Sequence, residues 1–415
     1  MRRLLVLLLA VSAVAAGCAR SSSPPSLRVG ALYPRTGTQA AGGTDEERGV
    51  ALAVEWANSH GGVNGRHVRL EAVDAPRAEA VPAALGELKR RGVSVVIGSH
   101  GSSISAVAAS LAGKENLSFW ETGAVGEVDP DIITGRNFFR LAPMGTNLGR
   151  AAIDFVRQQV APRLSSGAPL RYAVAHVDDP YGRAVSSGAV AEIGATGQTL
   201  VGTIAYDART TDFAPLAAQI AAVHPDVLFV AAYVDDGVAL RRATVAAHLP
   251  LLASIGTSSS YCMPAFGQAL GPAAVGLFAS DKPDGPDVRA GALQPEGRRA
   301  LTWGRARYQA RYHKEMSAAA LSGFSGAYAL LVHVLPAAGG VGIASVAAAA
   351  THVKMAEGTL PNGDGLDLAP TGAPDAGENR GARGVIWEWV APSQREVVWP
   401  PAFATHPVVW MPIDQ

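Results

Sequence analysis

Two rhythms of apolar and polar positions alternate along almost the whole chain. Short, β-branched apolar runs at residues 27–32, 67–73, 93–97 and 117–120 read as strands. Between them, apolar positions three and four residues apart at 50–57, 81–91 and 104–111 read as helices. Strand, helix, strand, helix at this spacing predicts a parallel sheet with helices on both faces. The alternation restarts after Pro143, with helices at 150–160, 182–193, 213–223 and 237–248 and strands at 172–177, 199–204, 227–232 and 251–255. The predicted fold class is therefore α/β, with two doubly wound lobes. Later helices fall at 298–315 and 328–335, and residues 343–355 are Ala-rich and weakly amphipathic. Residues 384–389 and 396–399 suit an antiparallel pair, and the Gly-, Pro- and Asp-rich stretch 360–383 takes no element.

The most informative stretch is VSVVIGSHGSSISAVAASLAG, residues 93–113. A buried strand stops at Gly98, turns through Ser99-His100-Gly101 and feeds a helix starting at Ser102 or Ser103. Such a junction presents free backbone N–H groups, two hydroxyls and the positive end of a helix, a setting for a carboxylate or carbonyl oxygen. A plain capped turn uses the same residues. In doubly wound sheets, ligands sit outside the carboxyl ends of the strands. That rule selects the loops 33–43, 98–103 and 121–126 of the first lobe and 178–181, 233–236 and 256–260 of the second. Thr44-Asp45-Glu46-Glu47 reads as a capping box opening the first helix.

Composition narrows the partners. Thirty-five basic residues balance thirty-five acidic ones, which argues against nucleic acid. About 400 mature residues suit two lobes better than one core. Met1-Arg2-Arg3, an apolar run over 4–14 and Ala15-Ala16-Gly17-Cys18 make a signal peptide that resembles the bacterial lipobox. That resemblance implies a signal over 1–17, a lipidated Cys18 and a Ser/Pro tether over 18–26, with lipid as the sole membrane anchor. No later stretch reads as long and apolar enough to cross a bilayer. Cys262 is the other cysteine, so no disulfide is expected. An exported hydrolase is the enzyme reading to weigh. Ser325 in Gly323-Phe324-Ser325-Gly326 has the wrong spacing for a nucleophile elbow, and no HExxH occurs. Gly98-Ser99-His100-Gly101 lacks the third glycine of a dinucleotide site. Neither metal nor cofactor is expected.

LRVGALYPRTG, WANSHGGVNGR, VVIGSHGSS, FWETGAV, VDDPYG and DVLFVAAY, in this order, resemble the periplasmic Leu/Ile/Val-binding protein family from Leu27 to about Lys282, and again at Trp387-Glu388-Trp389. The resemblance implies two Rossmann-like lobes joined by a three-strand hinge near Pro143, Lys282 and Arg383. The first lobe would hold 27–143 plus 283–383, the second 144–282 plus 384–415. It implies a solute-binding lipoprotein, monomeric, on the outer face of the cytoplasmic membrane or in the periplasm, that hands a small polar ligand to an ABC permease. The ligand is expected to be a branched-chain or related amino acid; an amide, urea or small carboxylate binder and a ligand sensor of the same fold are the alternatives. By the same resemblance, Ser102 with Ser103 beside it, and Gly123-Ala124, would hold the ligand carboxylate, and Tyr181 and Tyr233 would close from the second lobe. Three positions depart from the pattern: Val125 replaces a threonine, Gly42 an aromatic ring, and Thr257 the acid that pairs with the ligand ammonium. Asp235, Asp236 and Glu121 are the acids that could stand in.

Overall fold

The computed structural model describes residues 26–128, 136–164, 168–373 and 375–410. Five parallel strands form the first sheet: β1 (Leu27–Tyr33), β2 (Val68–Asp74), β3 (Val95–Gly98), β4 (Ser118–Glu121) and β5 (Phe138–Arg140), in the order β2-β1-β3-β4-β5. The second sheet contains β6 (Arg171–Val177), β7 (Thr199–Tyr206), β8 (Val227–Ala231), β9 (Ala253–Thr257) and β10 (Phe278–Asp281). A short pair, β11 (Lys354–Met355) with β12 (Leu366–Asp367), stands apart. The chain then returns to the second sheet with β13 (Val385–Ala391) and β14 (Gln394–Trp399), giving the order β14-β13-β10-β9-β8-β6-β7. β13 runs antiparallel to β10 and β14 antiparallel to β13; the other five strands are parallel. β3 and β8 are buried along their whole length, as their uninterrupted apolar runs require, and β4 is buried throughout although it begins on Ser118 and ends on Glu121.

Strand order fixes where a ligand can sit. The first sheet reverses direction of winding between β1 and β3, and the second between β6 and β8. The turns after β3 and β6, and the start after β8, thus lie at the two switch points. These are the turns that carry Ser102, Tyr181 and Tyr233.

Four expectations need correction. The first helix starts at Ala40, so Thr44–Glu47 lies inside it rather than capping it. Its acids turn inward: Asp45 accepts from Tyr308 Oη at 2.7 Å, Lys314 Nζ at 2.6 Å and Ser317 Oγ at 2.6 Å. Tertiary partners outbid the local cap. The helix expected at 328–335 begins at Ala318, and the run Ala318–Ala338 has the length and apolarity of a membrane span. Its most apolar window is 78% buried, which makes it a core helix. Residues 360–383 are tied into the fold: β12 pairs with β11, Arg140 N donates to Gly377 O at 2.8 Å, and Asp364, Glu378 and Asn379 are buried. Small and polar residues hid this packing from a pattern search.

The Ala318–Tyr328 helix crosses the Ala40–Ser59 helix at Gly49. A β-carbon on Gly49 would sit 1.9 Å from Ala320 O and 2.7 Å from Phe324 N, both backbone atoms that cannot swing away. Gly49→Ala is expected to destabilise the protein by about 1–3 kcal/mol or more as the two helices separate. An unchanged urea midpoint would mean that the helices do not pack at this distance.

Candidate ligand-binding site

In the first lobe, Gly101 stands at the N-cap of the Ser102–Lys114 helix in extended conformation. The first intrahelical bond is Ser105 N to Gly101 O at 2.9 Å, so the N–H groups of Ser102, Ser103 and Ile104 precede it and lack a helical acceptor. The first turn holds no acid to neutralise the helix end. Ser102 Oγ accepts from Gly126 N at 3.0 Å, which leaves the hydroxyl proton to donate elsewhere. Ser103 is half-buried on the same turn.

The amides of Gly123 and Ala124 are engaged within the chain. Gly123 N, Ala124 N and Ser99 N all donate to Glu121 Oε1, at 2.9, 2.8 and 3.0 Å. A carboxylate tethered to the same chain, two and three residues from Gly123 and Ala124, gains these bonds without the translational cost that a ligand would bear. Burial pushes the Glu121 carboxyl up to about 7, against the pull of the Arg140 guanidinium. The carbonyl side of the loop is pinned as well: Lys282 Nζ donates to Gly123 O and Arg140 Nη2 to Gly126 O, both at 2.7 Å. Glu46, also buried, accepts from Thr122 Oγ1 at 2.5 Å and faces His100 Nδ1 at 2.8 Å. The His100 ring fills the space above Gly42, where a β-carbon would lie 2.1 Å from Nε2.

In the second lobe, Tyr181 opens the Pro180–Ala195 helix and Tyr233 caps the Val234–Ala246 helix. Their ring centroids are 5.4 Å apart at 42°. Tyr181 Oη shares a 2.6 Å hydrogen bond with Thr257 Oγ1 and accepts from Ser259 N at 3.3 Å. Desolvation raises the Tyr181 phenol above its usual range, so it remains neutral. Thr257 is buried and spends its hydroxyl on this tyrosine. Tyr233 Oη donates to Asp179 Oδ2 at 2.6 Å, while Asp179 Oδ1 accepts from Gly182 N at 2.8 Å as the N-cap of its helix. Asp236 accepts from Tyr233 N at 2.9 Å and from Tyr206 Oη, and Asp235 is exposed.

The two lobes meet at Gly126. A β-carbon there would lie 2.8 Å from Ser102 Oγ and 3.2 Å from Pro180 O. Ser102 and the residue preceding Tyr181 thus flank one point of the lobe junction. Glu121, His100 and Asp179 fall within loops that the sequence selects, and Lys282 at an expected crossing, but sequence assigns none of them these contacts, and it misses Arg140 altogether. Asp179 has a further local signal, an aspartate directly before a proline that opens a helix. Cys18 lies outside the described residues.

Two α/β lobes joined by three crossings, with helix starts and aromatic rings on the facing loops, define a solute-binding architecture. By the match of a periplasmic binding protein family model to residues 26–377, the chain belongs to that family. It is similar to the Leu/Ile/Val-binding protein homolog 8 of Brucella abortus, 29% identical over 265 residues, 61% of this chain and 64% of that one. Homolog 7 of Brucella melitensis is 29% identical over 275 residues, 63% of this chain and 66% of that one. Each match spans just under two thirds of its relative's length. Among solved structures, a branched-chain amino acid transporter substrate binding protein from Streptococcus pneumoniae in complex with isoleucine superposes with TM-score 0.70 at 18% identity, covering 90% of this chain and all of that one. A solute binding protein from R. palustris in complex with benzoate superposes at 0.69 with 20% identity, covering 93% and 99%. At these identities the superpositions establish the fold.

Proposed function

We propose that this protein is the extracytoplasmic solute-binding component of an ABC importer, that it closes on a branched-chain or related amino acid, and that Cys18 anchors it by lipid. It acts by binding, with the hinges near Pro143, Lys282 and Arg383. The observation that carries the reading is the junction at Gly126, where the helix start bearing Ser102 meets the turn leading into Tyr181. In this reading the ligand carboxylate takes the Ser102 hydroxyl and the open N–H groups of its helix, since Glu121 holds the Gly123 and Ala124 amides. The tyrosine pair supplies the apolar wall. The relatives' names and the isoleucine-bound neighbour support an amino acid.

The direct test is mass spectrometry of the small molecule that co-purifies with the protein, with a thermal-shift panel of amino acids, amides and short acids. A ligand at a hundred times its dissociation constant adds about 2.7 kcal/mol of stability, which such a panel resolves. A panel without any stabilising solute would overturn the reading. Ser102→Ala is expected to weaken binding by about 1–3 kcal/mol in calorimetry, because a desolvated carboxylate loses a donor; wild-type affinity would remove Ser102 from the site. A second reading, a carboxylate without an amine, is favoured by Thr257 at the position of the ammonium-pairing acid and by the benzoate-bound neighbour.

A further inference from the structure

The loop that follows β4 is gripped from the places where the chain passes between the lobes. Gly145 N, at the start of the Gly145–Phe155 helix, donates to Val125 O at 2.7 Å. Arg140 Nη2, at the end of β5, donates to Gly126 O, and Lys282 Nζ, directly after β10, donates to Gly123 O. The last amide of the loop, Gly126 N, donates to Ser102 Oγ at 3.0 Å. Three contacts from the crossings therefore lead, through one short loop, to the hydroxyl assigned to the ligand carboxylate.

Lys282 stands apart from the other two holders. Gly145 spends only a backbone amide, and Arg140 has Glu378 Oε1 at 3.2 Å. The Lys282 side chain is buried at 7% exposure, yet among the described residues no carboxylate oxygen lies within 4.0 Å of its Nζ. Burial raises the neighbouring Asp281 carboxyl, and the ammonium opposes this from farther away. A buried ammonium is costly, and a methionine of similar length would fill the space without that cost. Packing alone gives no reason for a charge at this position.

We infer that Lys282 is a positioning residue for the carboxylate site: it holds Gly123 O and, through the loop to Gly126, sets the hydroxyl of Ser102. This rests on the reading of Ser102 as the carboxylate donor. Ser102 Oγ accepts from Gly126 N, so the direction of that N–H decides where the hydroxyl proton can point. Gly123 and Gly126 are three residues apart, and the Gly123 and Ala124 amides are anchored on Glu121. The loop has little slack to absorb a shift at its first carbonyl. Lys282 lies where the chain leaves the second sheet, so the angle between the lobes and the aim of the hydroxyl are coupled.

Lys282→Met removes the donor at similar length, and Lys282→Gln repeats the test with a polar tip. Calorimetry on the mature chain would titrate L-leucine and 4-methylpentanoate, the same acid without the amine, into wild type, Ser102→Ala, each Lys282 variant and the double variant Ser102→Ala/Lys282→Met. The expected result is a loss of about tenfold for both ligands in each Lys282 variant. The double variant should bind within about threefold of Ser102→Ala, because a hydroxyl that is gone cannot be aimed. The ligand-free melting temperature should fall less than in Arg140→Met, which strands Glu378. Unchanged affinity, losses that multiply in the double variant, a loss confined to L-leucine, or a melting temperature as low as that of Arg140→Met would each overturn the role of Lys282 and leave the ligand reading standing. Wild-type affinity in Ser102→Ala, or binding of neither ligand by the wild type, would overturn the carboxylate reading and the role of Lys282 with it.

Discussion

Replacing Arg140 by methionine should cost about 3–5 kcal/mol of stability, the largest single-site loss expected in the first lobe. Its side chain is fully buried, with Nη1 3.2 Å from Glu378 Oε1 and Nη2 donating to Gly126 O. The guanidinium also lies 5.3 Å from the centre of the Phe138 ring. Burial pushes the Glu378 carboxyl up, and Arg140 is the strongest influence holding it down. Without the arginine, Glu378 becomes a buried charge with no partner, and the Gly126 carbonyl at the lobe junction loses its donor. Urea denaturation of Arg140→Met measures the loss. The double variant Arg140→Met/Glu378→Gln should recover much of it, since two neutral groups avoid the uncompensated charge. A loss below about 1 kcal/mol would show that the pair does not hold residues 376–379 against β5.

Stability should also fall as pH rises from 5 to 8. Burial raises Glu121 from its ordinary 4.5, and Asp287 and Asp364 from 3.8, each to about 7. A carboxyl raised in this way binds a proton more tightly folded than unfolded. Between its unfolded and folded values the native state therefore holds more protons, and raising the pH drains stability until the folded value is passed. For Glu121 alone the linkage is roughly 3 kcal/mol between pH 4.5 and 7. Asp45, Asp74 and Asp375 are lowered by their hydrogen-bond partners and act in the opposite sense, losing their contribution only as the pH drops below the usual carboxylate range. The maximum should thus lie near pH 5. Glu121→Gln keeps an oxygen for the three amides and should flatten the profile above pH 5. Urea titrations at pH 5, 6, 7 and 8 decide this; a flat or rising wild-type profile would contradict it.

The β-branched runs of 27–32, 93–97 and 227–232 announced buried parallel strands because such a strand needs an apolar side chain on both faces. The turn at Ser102 was legible for the same reason, since a strand that stops on glycine and serine has few ways to continue. Polar residues that act at a distance were not legible. Asp45 and Glu46 looked like a local cap, and only the folded chain brings Tyr308, Lys314 and His100 to them. β5 is three residues long, too short for a period to register. Glu121 reads in sequence as a strand-end acid on a loop; its capture of two amides depends on how tightly Gly123-Ala124 turns back, and of the third on the neighbouring turn that carries Ser99, matters of backbone geometry with no side-chain pattern.

The late return of the chain to the second sheet has a practical consequence. β13 and β14 come from the far end of the polypeptide, yet Trp387 and Trp389 are buried there, and Trp389 Nε1 donates to Tyr261 O at 2.7 Å. No single cut can free one lobe from the other. Ending the gene after β10 would expose that strand as a naked edge and strip away two indoles that cover it, inviting sticky intermolecular pairing. A recombinant fragment carrying the second sheet would have to join β13 and β14 directly to the segment from β6 to β10, a bypass that removes the intervening helices as one insert.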